Sequence, residues 1–359
     1  MKAQLNPTSG NSLNHTGVDC GTTPENVLLL PVVTWFAHFF LCVDKSNIAK
    51  MFPVDNGRKQ CYILPMELQT KTLSIFGKEY RVYSGACCSS VSPKRTLYVE
   101  FTKNCNAHCP FCSAHRGLGD LDPAILEECV DEMVGAGAVD RVSITGGEPL
   151  IVGDFLRLNR LFDTLEQSGL EYYALTTNGR YLAKNFVTLE MLSKLKYMNV
   201  SRHHYDDEAN RRVFGDGSIP GLDEITGIFG LFGGKPLEFR LNCTLYPGAD
   251  AEFVNRYIQA AAGAGIPSVL FRSDYFSRPD PALSGMFRNL LNGRKESTKC
   301  RCAYGNVSGV NVEYREVDGA LERRLETEGE YIRNLVLHAD GRLTGGWSDE
   351  SVLIRDFSK

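Results

Sequence analysis

Asn104-Cys105-Asn106-Ala107-His108-Cys109-Pro110-Phe111-Cys112 sets three cysteines within eight residues, separated by three and then two others. Gly146-Gly147-Glu148-Pro149 begins 34 residues after Cys112. Three thiolates can hold three corners of a cubane iron–sulfur cluster and leave the fourth iron without a protein ligand. Open coordination suits a metal to chemistry rather than to holding a fold together. On the residues alone, a zinc site with His108 or His115 as fourth ligand is the competing reading.

Outward from this stretch the chain keeps a regular rhythm. Leu97 to Phe101 is a β-rich run that ends at the cysteine loop. Asp122-Pro123 reads as an N-cap followed by proline at the first helical position. Ile125, Leu126, Cys129, Val130, Met133 and Val134 follow at helical spacing, and Gly135 and Gly137 close the element. The same reading predicts strands over Arg141–Thr145, Tyr172–Thr177, Met198–His203, Leu237–Tyr246 and Val269–Ser273. It predicts helices over Phe155–Ser168, Leu189–Lys196, Asp206–Phe214, Leu222–Leu231 and Asp250–Ala264. Six strands alternating with helices imply a parallel sheet with right-handed crossovers, closed towards a barrel or wound open. In either form ligands bind at the carboxyl ends of the strands, which is where the unusual residues fall.

The cysteine spacing together with Gly146-Gly147-Glu148-Pro149 resembles the radical S-adenosylmethionine (radical SAM) superfamily, over roughly residues 95–275. The resemblance implies an α/β fold, a six-stranded parallel partial (β/α)6 barrel with the cofactors at its mouth. It implies that Cys105, Cys109 and Cys112 ligate a [4Fe-4S] cluster and that Phe111 lies beside the adenine of S-adenosyl-L-methionine. Gly146, Gly147, Glu148 and Pro149 would then receive the amino group of SAM, and Thr176, Thr177 and Asn178 its ribose or carboxylate. Ser201 and Arg202 would add polar contacts to SAM. Read from the residues themselves, Arg240, Asn242 and Arg272 are polar positions in otherwise apolar strands, which face the mouth to meet SAM or substrate or are neutralised by partners. The activity implied is reductive cleavage of SAM to a 5′-deoxyadenosyl radical that abstracts hydrogen from a small-molecule or natural-product substrate. An electron donor such as flavodoxin or ferredoxin would serve it. The alternatives are a peptide-modifying enzyme of the same superfamily and a non-catalytic iron–sulfur or zinc protein on a degenerate barrel.

Two features depart from the common pattern. Arg202-His203-His204-Tyr205-Asp206-Asp207 is more basic and aromatic than usual, and His203, His204 and Tyr205 are candidates for substrate binding, proton transfer or electron relay. Cys300 and Cys302 stand alone beyond residue 243. They are candidate hydrogen-atom donors or buried structural thiols, too few for a second full cluster. The hairpin Leu335–Trp347, turning at Asp340-Gly341, resembles a cysteine-poor version of the SPASM or twitch extension found in relatives.

The totals agree with an ordinary globular chain of 359 residues, 43% hydrophobic and 23% charged. A net charge of −4 argues against a general nucleic-acid surface. Twelve cysteines behind a polar N-terminal stretch suggest reduced thiols and a cytoplasmic protein. Residues 1–26 read as disordered, 27–94 as a separate region, 95–275 as the core and 276–359 as an extension. Within the second region, Gln60–Pro65 and Leu73–Tyr83 are strand-like. The uncharged run Val27–Val43 reads as a buried strand or helix, with membrane association the lesser alternative.

Overall fold

The computed structural model describes residues 27–34, 37–44, 70–83, 95–112, 117, 119–151, 155–170, 172–182, 195–232, 237–274, 280–291, 302–316, 332 and 334–359. It forms two compact units, residues 1–65 and residues 66–359. In the first, β1 (Val27–Thr34) and β2 (Ala37–Asp44) pair antiparallel, with Val27 opposite Asp44. The apolar run is therefore two strands rather than one element. Among the described residues, no helix is long and apolar enough to cross a membrane. Residues 60–65 lie outside the described residues, as do 189–194 of the helix expected over Leu189–Lys196, whose last two residues, Leu195 and Lys196, are not helical.

The second unit opens with the hairpin β3 (Thr70–Ile75) and β4 (Lys78–Tyr83), which turns through Phe76 and Gly77 at φ of 50° and 70°. The rhythmic segment follows: β5 (Arg95–Thr102), α1 (Pro123–Gly135), β6 (Val139–Gly146), α2 (Phe155–Gln167), β7 (Tyr172–Thr177) and β8 (Tyr197–Ser201). It continues with α3 (Asp207–Phe214), α4 (Leu222–Leu231), β9 (Glu238–Leu245), α5 (Ala251–Gly263) and β10 (Ser268–Ser273). Asp122, Asp206 and Asp250 cap α1, α3 and α5 through their carboxylates, and Gly215 ends α3 in the left-handed conformation.

The six strands lie in the order β10-β9-β8-β7-β6-β5, every neighbouring pair parallel. This order never reverses. Right-handed crossovers that always step the same way put every helix on one face, which is barrel-type winding; a doubly wound sheet needs a reversal. The packing agrees. Leu97, Val99, Val142, Ile144, Leu175, Met198, Val200, Leu241 and Phe271 share one core with Leu126, Met133, Phe162, Val254 and Ile258 of the helices. Strand alternation leaves Tyr98, Ser143, Asn199, Arg240, Asn242, Thr244 and Arg272 on the helix-free face.

The C-terminal segment does more than add a hairpin. α6 (Pro281–Leu290) is capped by Asp280, and β11 (Ala303–Val307) pairs with β12 (Val310–Arg315), which lies parallel beside β10. β13 (Leu335–Leu337) lies parallel beside β5, and β14 (Arg342–Thr344) and β15 (Leu353–Asp356) complete an eleven-stranded sheet. The partial barrel is thus extended at both edges. Buried His338 ties β13 to the core: its Nε2 is 2.9 Å from Thr344 Oγ1 and its Nδ1 3.4 Å from the carboxylate of Glu100.

Candidate functional site

The cysteine loop leaves β5 as a continuation of the sheet. Gly147 N donates to Thr102 O at 2.7 Å and Glu148 N to Asn104 O at 2.8 Å, so the turn after β6 is zipped onto the loop. The glycines are required by this approach. A Cβ on Gly147 would lie 2.0 Å from Asn104 O, and one on Gly146, at φ 123°, 2.5 Å from Thr102 O. Their spare room is used by the cysteine loop's own backbone. On the other side of the loop, Ala107 is buried with Phe214 and Ile219, and Cys105 and Cys109 pack against them. His108 N donates to Phe214 O at 2.6 Å. Cys105 and Cys109 are half-buried, Cys112 is exposed, and all three are thiols. Their donor chemistry, three sulfurs on one short loop, fits three corners of a cubane cluster. Among the described residues, no three or more His, Cys, Asp or Glu side chains form a single-ion site.

Glu148 is 1% exposed. Its Oε1 accepts from Thr177 Oγ1 at 2.6 Å and Leu150 N at 3.1 Å, and its Oε2 from Asn178 N at 2.7 Å. Burial raises its pKa to about 7 against these hydrogen bonds, which lower it. One carboxyl group thus brings Thr177 and Asn178, at the end of β7, to the turn after β6. Pro149 is buried beside it and starts a 3-10 turn. Asn178 Nδ2 donates to Asn106 Oδ1 at 3.0 Å, Asn106 Nδ2 to Asp216 Oδ2 at 2.7 Å, and Arg180 Nη1 to the same oxygen at 2.5 Å. The sequence reading missed this Asn106–Asp216–Arg180 relay. Its only signal was an amide inside the cysteine motif.

Phe111 stacks on Tyr246 at 5.6 Å between ring centroids and meets His203 edge-on at 4.6 Å. His203 is buried. Its Nδ1 accepts from Thr244 N at 3.1 Å, and burial, then Arg272, lowers its pKa to about 3. It is a neutral ring whose acceptor is already used. His204 and Tyr205 turn elsewhere: their rings are tilted against each other, His204 meets Phe253 of α5 edge-on, and Arg256 Nη1 is 3.4 Å from the Tyr205 hydroxyl. Adjacent in sequence, the histidines are separated in space. Asn210, also missed, receives both His203 N and His204 N on its Oδ1.

Arg202 is buried behind the strands. Its Nη2 donates to Asp207 Oδ1 at 2.6 Å and Tyr205 O at 2.9 Å. Nη1 has no partner among the described residues. Ser201 stays half-buried on the helix-free face, opposite Asn242 across the β8–β9 ladder. Asn242 is buried and its Oδ1 has no partner among the described residues, so it offers an acceptor to a ligand's N–H or O–H. Cys302 is buried at the start of β11, and Cys300 lies outside the described residues.

A thiol loop zipped to a glycine-tight turn thus stands at the open ends of a singly wound, barrel-type parallel sheet. Residues 99–220 match the family model described as the Radical SAM superfamily. Among curated relatives, the GTP 3′,8-cyclase of Xanthomonas axonopodis pv. citri (strain 306) is 30% identical over 183 residues, 48% of this chain and 53% of that protein. The GTP 3′,8-cyclase of Aquifex aeolicus (strain VF5) is 32% identical over 130 residues, 34% of this chain and 39% of that protein. The chain spans about half the length, or less, of these relatives. Among solved structures, Streptococcus suis SuiB bound to S-adenosylmethionine superposes with a TM-score of 0.52 at 16% identity, covering 77% of this chain and 65% of SuiB. Histidine-tagged anSMEcpe with bound AdoMet gives 0.51 at 17% identity, covering 74% and 78%. These likenesses show the fold.

Proposed function

We propose that the chain is a catalytic radical SAM enzyme with its cluster on Cys105, Cys109 and Cys112. The observation that carries this is the clamp between Thr102–Asn104 and Gly147–Glu148, which holds the three thiols and a buried carboxyl at one strand-end mouth. When bound, the cluster supplies the electron that splits SAM into methionine and a 5′-deoxyadenosyl radical, which abstracts hydrogen from substrate. The chain's own residues do the positioning. Glu148, with Thr177 and Asn178 fixed around it, accepts the SAM ammonium. Phe111 and Tyr246 form an apolar wall for the adenine, and Asn242 Oδ1 takes a donor of the ligand.

The substrate is a small molecule. In support, the relatives sharing this core are named for a cyclase acting on GTP, although they match over about half their length or less. A flavodoxin- or ferredoxin-type donor serves as reductant.

The test is anaerobic reconstitution, then dithionite and SAM, with 5′-deoxyadenosine measured beside Cys109→Ala. Formation by the wild type and loss in the variant are expected. A verified cluster that yields no 5′-deoxyadenosine, with small molecules or peptides present, would overturn the reading.

A further inference from the structure

Arg272 of β10 and Arg315 of β12 are direct partners across a parallel ladder. Their alternation sets both on the helix-free face, near the carboxyl ends of the strands. Like charges directly opposite one another are destabilising unless something lies between them. Glu313, two residues before Arg315, is shared: its Oε2 accepts from Arg240 Nη1 at 2.9 Å and its Oε1 from Arg315 Nε. Arg272 has no carboxylate partner among the described residues. Its Nε donates to Thr244 Oγ1 at 3.2 Å and its side chain is exposed. Arg240, Arg272 and Arg315 thus set three guanidinium groups on this face of a chain of net charge −4, with Glu313 as the carboxylate that Arg240 and Arg315 share.

We propose that Arg272 and Arg315 bind an anionic group of the substrate, a carboxylate or phosphate, through their planar donor forks. This rests on the radical SAM reading and deepens it. Arg315 comes from a strand outside residues 99–220, so the C-terminal extension completes the substrate site. SAM also carries a carboxylate, but on the same carbon as its ammonium. SAM affinity in the arginine variants therefore separates the cofactor's carboxylate from an anionic group of the substrate.

The test titrates the reconstituted full chain with inorganic pyrophosphate at fixed ionic strength, beside Arg272→Gln, Arg315→Gln and the exposed control Arg160→Gln. The two mouth variants are expected to weaken pyrophosphate binding about tenfold or more, the usual size for losing a charge-assisted bond, while SAM affinity stays within about twofold and the control is unchanged. Pyrophosphate should raise the wild-type Tm and leave the mouth variants unmoved. Without anion, Arg272→Gln should melt no lower than the wild type, because it relieves repulsion; a lower Tm would sink that premise. Equal pyrophosphate binding by all four proteins would overturn the proposal. So would a loss of SAM affinity that disappears with decarboxylated SAM, which would assign the arginines to the cofactor. Formation of 5′-deoxyadenosine in the same preparations tests the radical reading separately, since anion binding needs no SAM cleavage.

Discussion

A Cβ added to Gly147 would stand 2.0 Å from the carbonyl oxygen of Asn104, closer than any real side chain approaches backbone. Gly147→Ala must therefore push the cysteine loop off the turn and break the Glu148–Asn104 hydrogen bond. We expect a lower Tm and loss of most of the iron retained after desalting. Gly227 is exposed within α4, and nothing lies within 4 Å of its Cβ position. Gly227→Ala should gain about 0.5–1 kcal/mol from helix propensity and keep its iron. Similar melting and iron content for the two variants would refute the clamp.

Glu148 and His203 give pH dependences of opposite sign. The folded carboxyl titrates near 7 rather than 4.5, so the folded chain holds an extra proton there, and this stability is lost as pH rises through that window. The folded imidazole titrates near 3 rather than 6.5, so the unfolded chain holds the extra proton, and stability is lost as pH falls below 6.5. Between about pH 4.5 and 6.5 the two slopes, each up to about 1.4 kcal/mol per pH unit, largely cancel. His203→Phe should become less stable as pH rises across this range, and Glu148→Gln as it falls. Denaturant titrations with both variants parallel to the wild type would rule this out.

Binding of SAM should release a proton. An ammonium at Glu148 favours the carboxylate and removes the proton that burial retains. Affinity should rise with pH up to about 7, and calorimetric enthalpies should vary with the buffer's ionisation enthalpy. Buffer-independent enthalpies at pH 6.5 would separate Glu148 from the ammonium.

Asp207 neutralises a guanidinium that is 1% exposed. Asp207→Asn should cost about 2 kcal/mol or more, less than a fully buried pair because Asp207 itself is partly exposed. It also receives Leu222 N at 3.0 Å, so the start of α4 should loosen with it. Chemical denaturation with amide exchange of α4 reads both effects.

The loop thiols should be the ones that reconstitution protects. Burial raises the pKa of Cys129 and Cys243 and keeps them unreactive, whereas Cys112 is exposed. Alkylation followed by peptide mapping should label Cys105, Cys109 and Cys112 before iron and sulfide are added, and spare them afterwards. Unchanged labelling would argue against a cluster on this loop.

The core was legible because its signals are local. Asp122-Pro123 marks α1, the 3.6-residue spacing marks its buried face, and uninterrupted apolar strands mark a sheet covered by helices. Winding was not legible, since it depends on which strands lie side by side. The same Asp-Pro signature stands at Asp280-Pro281 and starts α6, but the neighbouring Gly and basic residues hid it in the sequence. That β12 and β13 would join opposite edges of one sheet is a long-range pairing that alternation cannot announce. At the site, residue types singled out a neighbourhood, and orientation did not follow from them. His203 and His204 look equivalent in sequence, yet one backbone step sends one ring to Phe111 and the other to Phe253. Arg202 reads as a mouth residue, and its guanidinium lies behind the strands against Asp207.

The hydrogen bonds from Gly147 and Glu148 to the cysteine loop join peptide groups alone, so their donors and acceptors are complete within the chain. Zinc-finger domains must buy their order from the ion they bind. Here the ordering entropy of Thr102–Asn104 is covered by folding of the barrel. A donor scaffold delivering iron and sulfide would therefore meet a docking ledge already set, and loading could follow synthesis of the chain without a refolding step.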